Sequence, residues 1–458
     1  MNNTNKVTLS IRNFGPLKSV TLNVQDFIVF IGPQASGKST IVKAILFFKT
    51  LKDDLTHFIF DTIDQNSEID FFETGKPTTQ FKKIIRSKFV GYWGTTKHLD
   101  EFEIKYNYND KEVTLRLDKE GYVKAYFNNA LHDSLDQIFN HASFFQEKYS
   151  KKSQSYFSTD ELLTFESQKR TLLIKIGSEA EEIFGDSRMP IFIPAGRSLL
   201  STLSDQLQKY LLTSNRKSQL EMDEMDPYLL DFPLKGFIDR ISRTKTLFTQ
   251  SMQDIIEDKK KFTSTPIDFI NVYFIKELIN TILKGRYIYD KDSEKLYLPN
   301  SNKYVRLTFA SSGQQEAIWI LLQSFLITLN KYKVTLIIEE PEAHLYPESQ
   351  KEIVELIAAI SNMQNNQIFI TTHSPYILAS CNNLLYAAKI GAKRRSDINK
   401  IIDSRLWIPS RKFAAYLVKD GYIKDIVDDD VGLIKVEEID NVASIINDTY
   451  EKIAEFDK

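Results

Sequence analysis

The segment that most constrains this chain is Gly32-Pro33-Gln34-Ala35-Ser36-Gly37-Lys38-Ser39-Thr40, set between an apolar run, Phe27 to Ile31, and a helical run, Ile41 to Phe48. It satisfies G-x-x-x-x-G-K-[ST] with Gly32, Gly37, Lys38 and Ser39 in place. A run that is apolar throughout reads as a central parallel strand, buried on both faces. Strand, glycine-rich loop and helix therefore follow in the order that wraps a phosphate. Backbone N–H groups of the loop, with Pro33, Gln34, Ala35 and Ser36 between the glycines, and the positive end of the helix surround a β-phosphate. Lys38 neutralises β/γ oxygens, Ser39 holds Mg²⁺ through its hydroxyl, and Thr40 reaches the α-phosphate. An ordinary glycine-rich surface turn is the competing explanation, and the flanking strand and helix argue against it.

Three later segments fit the same chemistry. Leu336-Ile337-Ile338-Glu339-Glu340-Pro341 is an apolar strand ending in two acids. Such a strand delivers one carboxylate, Glu339, to the metal and the next, Glu340, to a water in line with a γ-phosphate, so Glu340 is the expected general base. Phe369-Ile370-Thr371-Thr372-His373 is another apolar strand with a polar end, where His373 can bond the γ-phosphate or the attacking water. In Phe309-Ala310-Ser311-Ser312-Gly313-Gln314-Gln315-Glu316, small residues open a helical run, Ala317 to Leu329. Ser311, Ser312, Gly313 and Gln314 make a second anion-binding surface there, or a plain helix cap with Glu316 nearby.

The rest of the chain sets limits. Its 458 residues are 42% hydrophobic and 12% aromatic, far from a disordered composition. Lys+Arg 59 against Asp+Glu 61 leaves a net charge of -2, so binding to nucleic acid or anionic lipid would need a local patch. The single Cys381 closes no internal disulfide and fits a reducing compartment, with the cytoplasm as the expected location. No apolar run approaches the roughly 18 to 20 residues that span a bilayer, and the polar start Met1 to Lys6 leads into no signal-type core.

Strands are expected at Val7 to Ile11 and Val20 to Val24, and Glu101 to Phe127 alternates as an antiparallel β layer. Asp160 to Arg286 reads as mostly helical, interrupted by Ile191 to Pro194. Leu234, Ile238, Ile241, Phe248, Met252 and Ile255 follow a 4-3 spacing, as one amphipathic helix that either faces the core or protrudes as a hairpin. Strands at Val334 to Ile338 and Gln367 to Thr371 flank a helix from Pro347 to Ile360. A short strand near Leu384 to Ala387, a basic cluster Lys393-Arg394-Arg395 and a helix from Val442 to Phe456 are expected in the tail.

The order and content of Gly32 to Thr40, Ala310 to Gln314, Leu336 to Pro341 and His373 resemble the Walker A, signature, Walker B and switch-histidine motifs of ABC-type ATPases, in the soluble branch with RecF-like, SMC-like and OLD-type proteins. Glu340-Pro341-Glu342-Ala343-His344-Leu345-Tyr346-Pro347 resembles the OLD-type extended D-loop, and Pro190 to Arg197 a strand and arginine common there. Glu339 departs from the aspartate usual at its position. For the glutamine that couples the metal site to an inserted domain, Gln146 and the Pro194 to Arg197 turn are both candidates. The resemblance implies an α/β fold, an ABC-type P-loop ATPase head with a mixed sheet, an antiparallel β layer and a mainly helical insertion. Residues 1–150 and 301–390 would form its halves, 151–300 the insertion with a short head strand near 190–197, and 391–458 a small tail subdomain.

What the resemblance implies for activity is ATP hydrolysis with Mg²⁺ in a composite site, closed by the signature residues of a second copy. An ATP-dependent dimer or larger oligomer follows. Asp428-Asp429-Asp430 contains D-x-D but lacks the preceding acidic strand of a Toprim nuclease, and the six histidines form no H-E-x-x-H. The layout is similar to stand-alone ATPase subunits of bacterial anti-phage systems such as PARIS and Septu. It implies a sensor or scaffold that answers a phage-encoded trigger and controls a separate effector protein, a nuclease. A RecF-like DNA-repair ATPase is the alternative, using Lys82-Lys83 with Arg86 and Lys88, Lys259-Lys260-Lys261 or Lys393-Arg394-Arg395 as its DNA face. A membrane transporter subunit fits less well.

Overall fold

The computed structural model describes residues 7–64, 77–96, 98–150, 159–199, 203, 231–262, 267–290, 293–435 and 447–451. Strands β1 (Thr8–Phe14), β2 (Leu17–Asn23) and β3 (Phe27–Ile31) lead into helices α1 (Lys38–Lys49), α2 (Leu51–Asp64) and α3 (Pro77–Trp93). Strands β4 (Glu103–Tyr108), β5 (Lys111–Leu117) and β6 (Val123–Phe127) follow, then α4 (Asn129–Ser150), α5 (Thr159–Ile183) and β7 (Met189–Ile193). Helices α6 (Phe232–Lys245), α7 (Met252–Phe262) and α8 (Phe269–Leu283) precede β8 (Arg286–Asp290), β9 (Ser293–Tyr297) and β10 (Tyr304–Arg306). The last stretch holds α9 (Ser312–Leu329), β11 (Val334–Glu339), α10 (Pro347–Asn362), β12 (Gln367–Thr372), α11 (Pro375–Gly391), α12 (Arg395–Asn399), β13 (Phe413–Lys419) and β14 (Tyr422–Asp425).

Eleven strands form one mixed sheet in the order β6-β5-β4-β1-β2-β14-β13-β3-β12-β11-β7, while β10-β9-β8 form a separate three-stranded sheet. The run β13-β3-β12-β11-β7 is parallel throughout. The antiparallel layer, β1 with β2 and β4 to β6, is joined to it through β14, which pairs in parallel with β2. Because side chains of a strand alternate between faces, the parallel strands feed two cores. Ile28, Phe30, Ile337 and Phe369 join one, with Ile41, Ile45 and Phe48 of α1. Phe27, Val29, Leu336, Ile338, Ile368 and Ile370 join the other, with α9, α10 and α11. Burying each such side chain contributes about 1.5–3 kcal/mol, enough to hold every parallel strand end in place.

Three expectations need correction. The run from Leu234 to Ile255 is two helices, broken over 246–251. Ser251 and Asp254 form a new helix start, the Ser251 hydroxyl accepting from the Asp254 N–H at 3.2 Å and donating to its carboxylate at 2.6 Å. Its apolar positions face the core nonetheless: Ile238, Ile241, Phe248 and Met252 are all buried. Leu384 to Ala387 lies inside α11, started by Ser374 as cap and Pro375, and no strand forms there. Residues 413–425, expected within a small tail subdomain over 391–458, supply β13 and β14 to the large sheet, beside the strand that carries the glycine-rich loop. Of the expected helix from Val442 to Phe456, 447–451 are helical and the rest lies outside the described residues. No described helix is long and apolar enough to cross a membrane.

Candidate active site

The glycine-rich loop leaves β3 at Ile31 and enters α1 at Lys38. Gly32 has no alternative there, since a Cβ would lie 2.1 Å from the Val418 carbonyl oxygen of β13. Gly37 caps α1 in the left-handed region at φ 105, where a Cβ would meet Leu17 Cδ2 at 2.4 Å. Pro33, Gln34, Ala35 and Ser39 are exposed, and Thr40 is half-buried. Lys38 Nζ folds back over the loop, donating to the carbonyl oxygens of Gly32 at 2.9 Å and Pro33 at 2.8 Å. Burial lowers its pKa, opposed by the nearby carboxylates of Glu340, Glu342 and Glu339. The loop lysine and the acids after β11 thus share one electrostatic site.

Parallel pairing with β12 and β7 puts the end of β11 between two others. Glu339 is buried; its Oε2 accepts from the Ala195 N–H at 3.3 Å, and its Oε1 has no partner among the described residues. Glu340 turns the chain in the left-handed region at φ 45, costly for a residue with a side chain and held by its own hydrogen bonds. Its N–H donates to the Thr371 carbonyl at 2.8 Å. Its half-exposed carboxylate Oε1 stands 3.5 Å from His373 Nε2, so base and switch candidates meet.

Two further acids organise this corner. Glu342 Oε1 accepts from the Thr372 hydroxyl at 2.6 Å and the His373 N–H at 2.9 Å, locking the end of β12 and the backbone of His373. The D-loop-like segment was legible in the sequence, but the role of Glu342 within it was not. Arg197, fully buried, donates to the carbonyl oxygens of Pro194 at 2.8 Å, Glu339 at 2.5 Å, Glu340 at 2.9 Å and Glu316 at 3.0 Å. Its guanidinium also pairs with Glu316 Oε2 at 3.3 Å, and Glu316 Oε1 accepts from the Ser198 hydroxyl at 2.7 Å. Burial lowers the Arg197 pKa, and Glu316, Glu342, Glu340 and Glu339 oppose that fall. Arg197 therefore ties α9, the end of β11 and the 194–198 turn together. Its place after a short apolar strand was the available signal, and nothing in the sequence marked Glu316 as its partner.

Ser311 caps α9 in a reciprocal box with Gln314: Ser311 Oγ accepts from the Gln314 N–H, and the Gln314 side chain accepts from the Ser311 N–H. Gln314 also donates to the Leu283 carbonyl at 2.8 Å. Ser311 and Ser312 are exposed. A Cβ on Gly313 would lie 2.8 Å from the His344 carbonyl, so the start of α9 packs against the loop after Glu340. Glu316 takes no part in this cap, being occupied by Arg197 and Ser198. Gln146 lies in α4, and its side chain is outside the described residues.

These residues fit a magnesium nucleotide. Among the described residues, the buried oxygens Ser36 Oγ, Glu339 Oε1 and Glu342 Oε2 have no partner and Lys38 bonds only its own loop carbonyls, and such groups are normally satisfied. Ser39 and Glu339 would hold Mg²⁺, with the loop N–H groups and Lys38 on the phosphates.

Fold and glycine-rich loop together define a P-loop ATPase domain. A model of the AAA_15 family, an AAA ATPase domain, matches residues 7–378, and the chain belongs to that family. Among proteins with curated functions, none matches. Among solved structures, the chain is similar to an SMC head bound to the C-terminal winged-helix domain of ScpA, at 12% identity and TM-score 0.38, covering 92% of this chain and 96% of that one. It is also similar to the SMC head domain from Thermotoga maritima, at 11% identity and TM-score 0.36, covering 94% and 99%. A third, from Pyrococcus furiosus, is an Smc head with an extended coiled coil bound to the C-terminal domain of ScpA, at 16% identity and TM-score 0.37, covering 96% and 98%. Likenesses of this extent identify neither activity nor partner.

Proposed function

We propose that this ATPase hydrolyses ATP with Glu340 as general base and works as a sensor or scaffold that associates head to head through ATP. The reading is carried by the meeting of Glu340 and His373, at 3.5 Å, beside the loop lysine. The N–H groups of 32–40 and Lys38 bind the triphosphate, and Glu340 takes the proton of a water that His373 helps orient. Bound Mg²⁺ offsets the charge of the phosphates. Glu342 is a positioning residue that fixes His373 through the backbone. Ser311 and Ser312, exposed at the start of α9, and the Gly313 N–H face the nucleotide of a second copy. ATP then joins the two copies, and its hydrolysis releases them.

In this reading the protein acts in the cytoplasm in anti-phage defence, answers a phage-encoded trigger and controls a separate effector, a nuclease. Two of the three basic clusters lend the DNA-clamp alternative less support, while Lys393, Arg394 and Arg395 are exposed. Lys88 is buried and paired with Asp54, Lys82 and Arg86 lie over the rings of Phe127 and Tyr122, and Lys259 and Lys260 bond Asn330 and Glu257. The Asp428 carboxylate is taken up by the N–H groups of Asp430 and Val431 in a turn. Phosphate release by the Glu340→Gln variant is the test: binding of ATP with turnover lost supports the assignment, and turnover at the wild-type rate refutes it.

A further inference from the structure

Away from the nucleotide site, α2, α3, α6 and β7 line a cavity of about 730 Å³ that opens to solvent, with His57, Asp61 and Gly236 exposed at it. This volume is in the range of sites for small organic ligands. Its walls are held together: Lys43 of α1 pairs with Asp231, which caps α6, and Phe232 packs so tightly on α3 that a Cβ on Gly91 would sit 2.5 Å from its ring. Phe232, Gly236 and Arg240 recur every four residues, on one stripe of α6 that lines the cavity. At Gly236 a Cβ would meet nothing within 4 Å.

The lining is of two kinds. Phe58, Phe192, Phe232 and Phe237 supply its apolar part. Among the charged lining residues, Lys88 and Asp54 neutralise each other as an ion pair, while Arg240 has no acidic partner among the described residues. Burial lowers the Arg240 pKa, Arg243 adds to that fall, and Tyr332 opposes it. A partly buried guanidinium with no acidic partner among the described residues is costly, and a bound anion removes that cost. His57 and Asp61, one turn apart on α2, also line the cavity and can accept hydrogen bonds from a donor group of the ligand.

We infer that this cavity is a binding site for a small organic anion with a planar, apolar body, its acid group on Arg240 and its rings among the four phenylalanines.

The full-length protein is titrated with two fluorescent probes of the same shape, 8-anilinonaphthalene-1-sulfonate and the neutral N-phenyl-1-naphthylamine. The inference predicts saturable binding of one sulfonate probe per chain, at least tenfold tighter than the neutral one. Arg240→Leu should remove that preference by weakening only the anion. Gly236→Phe, filling the cavity, should abolish saturable binding of both probes without lowering the melting temperature. Absence of saturable binding, equal affinity for the two probes, or an Arg240→Leu protein that keeps the preference overturns the assignment. Arg240 and Gly236 lie outside the nucleotide site, so ATP binding by either variant serves as the folding control.

Discussion

Replacing Arg197 by methionine tests the way the site is built. The guanidinium makes four bonds to buried carbonyl oxygens of Pro194, Glu339, Glu340 and Glu316 and one ion pair. At about 1 kcal/mol net for each hydrogen bond the loss is about 4 kcal/mol. That agrees with the roughly 3–5 kcal/mol expected when one partner of a buried ion pair is removed, because the Glu316 carboxylate stays behind uncompensated. Methionine keeps most of the packing volume, so the cost is electrostatic and not a cavity. Glu340 also loses a bond that holds its left-handed backbone, so turnover should fall more than ATP affinity. Urea unfolding gives the first quantity, and phosphate release against nucleotide binding gives the second. Adding Glu316→Leu should recover part of the lost stability, since it removes the orphaned charge. A single variant destabilised by less than about 1 kcal/mol, or one with unchanged turnover, would refute the proposed hub.

Other outcomes are equally direct. Lys38→Ala should abolish ATP binding, measured by calorimetry with magnesium present, because the loop keeps its N–H groups but loses the charge that offsets the phosphates. Ser311→Arg should lose hydrolysis while the isolated subunit still binds ATP; equal turnover would exclude a site shared between copies. A pH effect is expected at the Lys49–Asp186 pair, 2.6 Å apart and buried. Burial pushes the Asp186 carboxyl up, but Lys49 and the Arg188 N–H outweigh it and hold it below its ordinary 3.8. Stability from a depressed carboxylate is complete above the unfolded value and vanishes as pH falls through the folded one, so the window lies below about pH 4. Burial lowers Lys49 in spite of Asp186, a cost that is constant across that window. Asp186→Asn should therefore lose about 3–5 kcal/mol at neutral pH and show a flatter acid limb in urea titrations.

Much of the site was legible because its chemistry needs particular residues at fixed spacing. The two loop glycines are required by a carbonyl at 2.1 Å and a leucine at 2.4 Å, and the apolar runs before Glu339 and His373 are strands buried on both faces. What the chain does between elements was harder to read. The break at 246–251 hides in an apolar spacing that continues across it, although Ser251-x-x-Asp254 marks a helix start. Four residues of α11 look strand-like until Ile377, Leu378, Cys381, Leu384 and Leu385 are read together at helical spacing. Strand β13 was missed although an apolar run, Phe413 to Val418, precedes Asp420-Gly421, a hairpin turn with φ 55 and 90. The hub of Arg197 and Glu316 joins residues 119 apart, and no local pattern encodes such a pair.

The central claim is that ATP is gripped between two copies of this chain and released when Glu340 works. Light scattering of the Glu340→Gln protein with magnesium and ATP measures it most directly. Two or more copies per particle, reverting to one when Lys38→Ala is added, is the predicted result; a single copy whatever nucleotide is present would contradict it.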